Sequence, residues 1–395
     1  MVERPFWLAR LHDAWRRAPV AWLSGVRRVG KTTLAHQVPS ARYLNCDLPS
    51  TARLLADPEP YLAAVREPVL ILDEVHQLPD PSRTLKIAAD AFPHLKILAA
   101  GSSTLAATAK FRDNLAGRKR EVVLLPVLGE ELERFGRVDL TQRLRRGGLP
   151  PALLAAESDP ELYAEWLDSF FARDVQELFR IGKRGAFLLL LEVLLRQSGG
   201  LFEVSSLAKA TGLSRPTVMT YLDVLQVTHA VYVLRPYHAG GRRELLAQPK
   251  LYGFDTGFVV HAHGWSELRP DDCGLLWEHL VLDTLRSMSG LPRLHFWRDK
   301  ERREVDFVLP RARGACDAIE CQWRASAFDP KPLAAFRGHY PAGLNLVVTA
   351  DTRETHERRF GPLRVRFCDL AGLRAGLTAQ SAAPAAAGSP RTRPQ

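Results

Sequence analysis

The sequence predicts an α/β fold whose first domain is a parallel sheet, and three observations carry that expectation. The apolar run Val20-Ala21-Trp22-Leu23-Ser24 leads straight into Gly25-Val26-Arg27-Arg28-Val29-Gly30-Lys31-Thr32, a complete G-x-x-x-x-G-K-T loop. A second apolar run, Val69-Leu70-Ile71-Leu72, ends in Asp73-Glu74. Strand-like and helix-like stretches alternate as far as about Leu128, the pattern of strands joined by crossover helices.

Strands are expected at 20–24, 42–46, 69–72, 96–100 and 122–128. In a parallel sheet ligands gather at the strand C-terminal ends, where Gly25, Asp73 and Gly101-Ser102-Ser103 all fall. The loop has the chemistry of a phosphate cradle. Gly25 and Gly30 let the backbone turn its N–H groups inward along Val26, Arg27, Arg28 and Val29, Lys31 carries positive charge to the β/γ phosphates, and the Thr32 hydroxyl, followed by Thr33, can ligate Mg²⁺. Asp73 completes the Mg²⁺ shell and Glu74 is placed to polarise the attacking water. Ser102 has two readings, a helix N-cap or a hydrogen bond to the γ-phosphate. Arg118 likewise reads as a surface residue or as an arginine finger, in cis or across subunits.

From 129 to 197 the pattern turns helical, with a sharp loop at Gly147-Gly148-Leu149-Pro150 and the charged pair Arg173-Asp174 set among apolar residues. That pair reads as an internal salt bridge, with a γ-phosphate contact by Arg173 as the alternative. Residues 198–248 read as a helix-turn-helix with a wing: Thr211-Gly212-Leu213 turns, Ser214 caps the second helix, and Val218, Tyr221, Leu222 and Leu225 share one face. A further domain over 249–377 sets Glu278 on a helix and Asp306 and Glu320 on successive strands, three acids suited to a hard cation such as Mg²⁺. The Ala/Pro/Ser-rich stretch 378–395 is expected to be disordered.

Composition narrows the function classes. The 395 residues carry 54 Lys and Arg against 44 Asp and Glu, a net charge of +10 that attracts polyanions such as DNA and also fits a high-GC coding bias. The longest apolar stretch, 186–195, is broken by Glu192 and falls short of the ~20 residues a membrane span needs. The first residues lack the build of a signal peptide, so a cytoplasmic location is expected. Five cysteines without zinc spacing read as reduced thiols.

The ordered set of 25–32, Tyr43-Leu44-Asn45-Cys46-Asp47, Leu72-Asp73-Glu74-Val75, Gly101-Ser102-Ser103, Leu115-Ala116-Gly117-Arg118, Gly147-Gly148-x-Pro150 and Arg173-Asp174-Val175 resembles a widespread prokaryotic family of AAA-type P-loop ATPases with a winged helix and a C-terminal domain of unknown function. The resemblance runs from about residue 4 to 370. It implies an AAA-like core over 1–128, with Lys31, Thr32, Asp73 and Glu74 in the roles argued above, a helical lid or connector, the winged helix-turn-helix and a domain similar to the PD-(D/E)xK nuclease fold. Glu278, Asp306 and Glu320 match that fold's acids, whereas Gln322 stands where the pattern expects Lys; a binding or regulatory use of the domain therefore weighs at least as much as cleavage. ATP is the expected nucleotide, since neither N-K-x-D nor T-K-x-D occurs. A slow Mg²⁺-dependent ATPase acting as a switch or remodeller is the leading reading. A regulatory protein without turnover and an ATP-controlled nuclease are the alternatives, with DNA, a protein client and further subunits as partners to test.

Overall fold

The computed structural model describes residues 1–101, 113, 115–136, 138–157, 159–176, 179, 181, 183–238 and 248–382, apart from the side chains of 313 and 380–382. The chain divides into two compact units, 1–289 and 290–395, so this division falls about forty residues beyond the domain start expected at 249. The run 249–289 continues the packing of the first unit.

The first unit opens with α1 (Pro5–Arg17), β1 (Val20–Ser24), α2 (Lys31–Ala35), β2 (Ala41–Asn45), α3 (Pro49–Leu54), α4 (Pro58–Ala64), β3 (Val69–Asp73), α5 (Pro81–Ala91), β4 (Lys96–Ala100) and β5 (Lys119–Val123). The five strands form one sheet in the order β2-β3-β4-β1-β5, parallel throughout. All residues of β1 and β3 are buried, which is why both read as unbroken apolar runs. Helix α1 starts with Pro5 in its first turn and buries Trp7, Leu11, Ala14 and Trp15, one stripe at helical spacing. Trp15 Nε1 donates to Ile97 O at 2.8 Å, fixing that stripe to β4.

The fifth strand differs from its expected range of 122–128. It spans Lys119–Val123, and the apolar residues 124, 125, 127 and 128 are buried outside any strand. Pro126 explains the early end, because it has no N–H to give a ladder. Hydrophobicity there reported burial rather than pairing.

Then come α6 (Leu140–Arg146), α7 (Pro150–Leu154), α8 (Pro160–Phe170), a π-helical turn (Phe171–Gln176), α9 (Arg184–Arg196), α10 (Val204–Thr211), α11 (Arg215–Val227), β6 (Val231–Pro236), β7 (Lys250–Gly253), α12 (Thr256–His263) and α13 (Pro270–Ser287). Gly212, at φ 66°, makes the turn between α10 and α11, and Ser214 accepts from Thr217 N at 3.3 Å as the cap of α11. Val218, Tyr221, Leu222 and Leu225 are buried as their spacing predicts. β6 and β7 are antiparallel. The Gly147-Gly148 loop has a packing cause: a Cβ on Gly147 would stand 2.7 Å from Asp255 Cγ, and one on Gly148 2.5 Å from Arg143 Cζ. Asp255 accepts from Gly148 N at 2.6 Å and from Gly257 N at 2.9 Å, tying α6 to the start of α12.

The second unit holds β8 (His295–Arg298), β9 (Glu304–Pro310), β10 (Cys316–Gln322), α14 (Pro330–His339), β11 (Asn345–Thr349), β12 (His356–Phe360), β13 (Leu363–Cys368) and α15 (Leu370–Ala382). Its strands run β12-β13-β11-β10-β9-β8, parallel at β10/β11 and β11/β13 and antiparallel elsewhere. α15 carries the chain to Ala382, so residues 378–382, expected to be disordered, are helical; Leu373 and Leu377 bury one face of that helix.

One buried ion pair ties the first unit together. Arg4, 2% exposed, donates from Nε and Nη2 to the two oxygens of Glu131 at 2.8 Å each, from Nη1 to Val29 O at 3.2 Å and from Nη2 to Leu125 O at 3.2 Å. Glu131 also accepts from Trp7 Nε1 at 3.3 Å and Leu128 N at 3.0 Å. Removing one partner strands a desolvated charge, so Arg4→Ala is expected to cost about 3–5 kcal/mol in urea unfolding. The double change Arg4→Met, Glu131→Leu should recover much of that loss; equal losses in the single and double variants would show that the pair carries no such penalty.

Candidate nucleotide site

The segment after β1 has the backbone a phosphate cradle needs. Gly25 stands at φ 138°, and a Cβ there would lie 2.4 Å from Leu124 O; Gly30 stands at φ 102°. Neither position accepts a side chain without strain. Arg28 is also left-handed, at φ 61°. Val26 and Val29 are buried and anchor the loop from behind, while Arg27 is half-buried and Arg28, Thr32 and Thr33 are exposed. Lys31 curls over the loop, donating from Nζ to Gly25 O at 2.9 Å and Val26 O at 3.2 Å. Burial lowers its pKa, against the pull of the Glu74, Asp174 and Asp73 carboxylates, which hold the charge in place.

The neighbouring strand ends bring the acids. Asp73 terminates β3, 3% exposed, and accepts from Tyr43 Oη at 2.8 Å and from Glu74 N at 3.1 Å. Burial, then the bond to Asp73, pushes the Tyr43 phenol well above its usual range, so it stays a donor. Tyr43 also stacks on His36 at 4.1 Å, which joins β2 to the end of α2. Glu74 occupies the left-handed region at φ 53°, a conformation costing a non-glycine residue on the order of 1 kcal/mol. Its carboxylate meets His76 Nδ1 at 3.3 Å. Burial raises the Glu74 pKa, and the positive charges of His76 and Lys31 oppose the rise.

A charged loop, a lysine, an exposed hydroxyl on the first turn of α2 and a fixed aspartate on β3 together fit a nucleoside triphosphate with a divalent cation. Thr32 and Asp73 would hold the cation, and Gly25 to Thr33 the phosphates.

Other expected site residues stand elsewhere. Ser102 lies outside the described residues. Arg118 precedes β5 and pairs with Asp90 on α5 at 2.5 and 3.0 Å, while its carbonyl accepts from Val20 N at the start of β1. It therefore sits at the N-terminal edge of the sheet, a five-residue strand or about 13 Å from the edge that carries Gly25 and Asp73. Arg173 is exposed, and Asp174 pairs with Arg27 at 3.5 Å rather than with its sequence neighbour. Glu278 belongs to the first unit, where it accepts from Tyr252 Oη at 2.5 Å and Lys250 Nζ at 3.2 Å. Asp306 and Glu320 lie in the second, next to the Phe307–Ile319 pair of β9 and β10, with Asp306 accepting from Cys321 N at 2.8 Å. Among the described residues no group of three or more His, Cys, Asp or Glu is disposed to hold a metal ion.

Several residues of the site have no role assigned from the sequence. Tyr43 stands in the 43–47 run without one, and so does His76 after Val75. Glu121 reads as an exposed strand acid, yet it accepts from Ser24 Oγ at 2.7 Å immediately before the loop. Trp166 reads as core, and does sit in a stack with Phe170 and Phe254 at 4.8 and 4.6 Å, but its Nε1 also donates to Arg27 O at 2.9 Å.

The raised Glu74 pKa has a stability consequence. The folded state holds the proton to higher pH than the unfolded chain, so this group costs stability as pH rises through its folded value. Glu74→Gln is expected to stabilise the fold at pH 8 by under about 1 kcal/mol, because the side chain is 38% exposed and screened, seen as a slightly higher melting temperature, and to leave it unchanged near pH 4. Melting curves at the two pH values check this.

Residues 17–133 match the model of an AAA domain. Residues 137–269 and 273–365 match two domains of unknown function, DUF8612 and DUF4143. Two uncharacterized proteins, from Mycobacterium bovis and Mycobacterium tuberculosis, are each 29% identical over 323 residues, 78% of this chain and 71% of the relative. Among solved structures, a DNA replication initiation factor is 13% identical and covers 53% of this chain and 68% of its own at a TM-score of 0.25. AMPPCP-bound DnaA from Aquifex aeolicus is 13% identical, covering 57% and 89% at 0.25. A STAND signal-transduction ATPase from Pyrococcus horikoshii is 15% identical, covering 73% and 46% at 0.28. Overlaps this loose add nothing to the fold described above. The match to an AAA domain coincides with the sheet and loop that form the site, and it supports a nucleotide-binding P-loop protein of the AAA type.

Proposed function

We propose that this protein is an ATP-dependent switch that hydrolyses ATP slowly with Mg²⁺ and passes its nucleotide state to nucleic acid through its accessory domains. The observation that carries the reading is the convergence of Lys31, Asp73 and Glu74 at one sheet edge, beside a loop in which Gly25 leaves no room for a Cβ. Lys31 and the loop amides would bind the β and γ phosphates. Mg²⁺, when bound through Thr32 and Asp73, would neutralise phosphate charge. Tyr43 keeps Asp73 oriented by filling one of its oxygens. Glu74 would align water and take its proton, a role favoured by a carboxyl pKa raised towards neutrality.

The association with nucleic acid rests on charge and on the helix-turn-helix. Of the net +10, seven charges belong to 290–395, with 18 Lys and Arg against 11 Asp and Glu. Such a surplus attracts phosphate backbones. α10, α11 and the β6–β7 pair support a winged helix, with Arg215 and Thr220 exposed on α11. The stretch 249–377 would be nuclease-like and used for binding: Gln322 replaces the expected lysine, and the Glu278 carboxylate is engaged by Lys250 and Tyr252. Arg118, on the far sheet edge, would act as a finger only on a neighbouring subunit.

Mg²⁺-dependent ATP turnover with and without double-stranded DNA tests this reading. Lys31→Ala should abolish nucleotide binding, and Glu74→Gln should keep binding while lowering turnover about a hundredfold or more. Turnover of wild type should rise with pH through the raised Glu74 pKa, and His76→Ala should move that limb to higher pH, because the opposing positive charge is gone. Wild-type rates in both Lys31→Ala and Glu74→Gln would overturn the assignment.

A further inference from the structure

The helical segment after the sheet grips the phosphate loop at residues 27 and 28 by three contacts. Trp166 Nε1 donates to Arg27 O at 2.9 Å, Asp174 Oδ2 meets Arg27 Nη1 at 3.5 Å, and Glu165 Oε2 meets Arg28 Nη1 at 3.7 Å. All three residues come from α8 and the π-helical turn that extends it. Such turns hold a local excess of one residue and occur often at functional sites. Phe171 and Val175 bury the apolar face of the turn, leaving Asp174, with a side chain 20% exposed, aimed at the loop.

Asp174 is the only carboxylate of this turn, and the positive groups it feels are Arg27, Lys31 and His76. Lys31 is a phosphate ligand by the reading above, and Arg27 belongs to the same loop. A terminal phosphate held by Lys31 would bring negative charge next to Asp174 and offer Arg27 a stronger, bidentate partner. The carboxylate and the phosphate would compete for one set of cations.

We propose that Asp174 is the residue through which the nucleotide's terminal phosphate acts on the helical segment: phosphate takes Arg27 from Asp174, and the 171–176 turn is released from the loop. Trp166 gives the release somewhere to go. Its ring stacks on Phe170 and Phe254 and meets Phe258 edge-on at 4.8 Å, so a shift of α8 against the loop is felt at β7 and α12. The competing carboxylate makes binding weaker than the loop alone would allow, and it makes that binding informative to the rest of the unit.

This inference rests on the proposed nucleotide site, and its test separates the two. ATP and ADP affinities are measured by titration calorimetry on the full chain for wild type, Asp174→Asn and Lys31→Ala, with and without Mg²⁺. Amide hydrogen exchange over 165–176 is followed in the same samples. The expected result is ATP binding tightened by on the order of tenfold in Asp174→Asn, the scale of one partly screened charge contact, with a smaller gain for ADP. Exchange over 171–176 should rise on adding ATP to wild type and be high already in Asp174→Asn. Unchanged or weaker ATP binding in Asp174→Asn, or a loss seen only with Mg²⁺, overturns the proposal while leaving the nucleotide site intact. A wild type that binds no nucleotide, indistinguishable from Lys31→Ala, removes the site reading and the inference together.

Discussion

The phosphate loop is held in shape from behind by a charge buried out of sight of solvent. Arg4 reaches Val29 O on the loop, Leu125 O after β5 and both oxygens of Glu131. A loop with Gly25 and Gly30 in left-handed conformations has little intrinsic preference for one shape, because glycine gives up more backbone freedom than any other residue. The guanidinium supplies the missing preference, fixing three chain segments with its fork of donors. A single lysine could not do this, having one point of charge and no fixed geometry.

On the solvent side the electrostatics are arranged to leave cations held but transferable. Among the described residues Lys31 donates to backbone carbonyls, Arg27 pairs loosely with Asp174, and three carboxylates stand within reach of the Lys31 charge. Asp73 is fixed by Tyr43, whereas Glu74 sits in a strained turn with a raised pKa. Fixed acid and poised acid are neighbours in sequence and differ because one ends a buried strand and the other begins the half-buried turn after it.

The same logic extends to the helical segment that follows the sheet. Trp166 and Asp174 touch the loop while Gly147, Gly148, Arg143 and Asp255 lock α6 against α12. The helical segment therefore meets the phosphate loop through Trp166 and Asp174 and the β7–α12 region through Gly148 and Arg143. A segment placed that way is suited to sense what the loop holds. The surface chemistry of α11, with Arg215 its one exposed Arg, is modest by comparison.

The parallel sheet, the phosphate loop, the acids at the end of β3 and the turn between α10 and α11 are legible in the chain alone, because each is written in local chemistry: strand periodicity, glycine at φ > 0, a caps-and-turns code. Which residues complete the site depends on long-range packing. Arg4, Glu121, Trp166 and Asp174 lie tens of residues from the loop motif, Tyr43 stands in a run with no role assigned to it, and what each does arises from what folding places beside it. The strand expected at 122–128 has the same origin: an apolar run signals burial, which strands and loops share, while pairing depends on the partner strand.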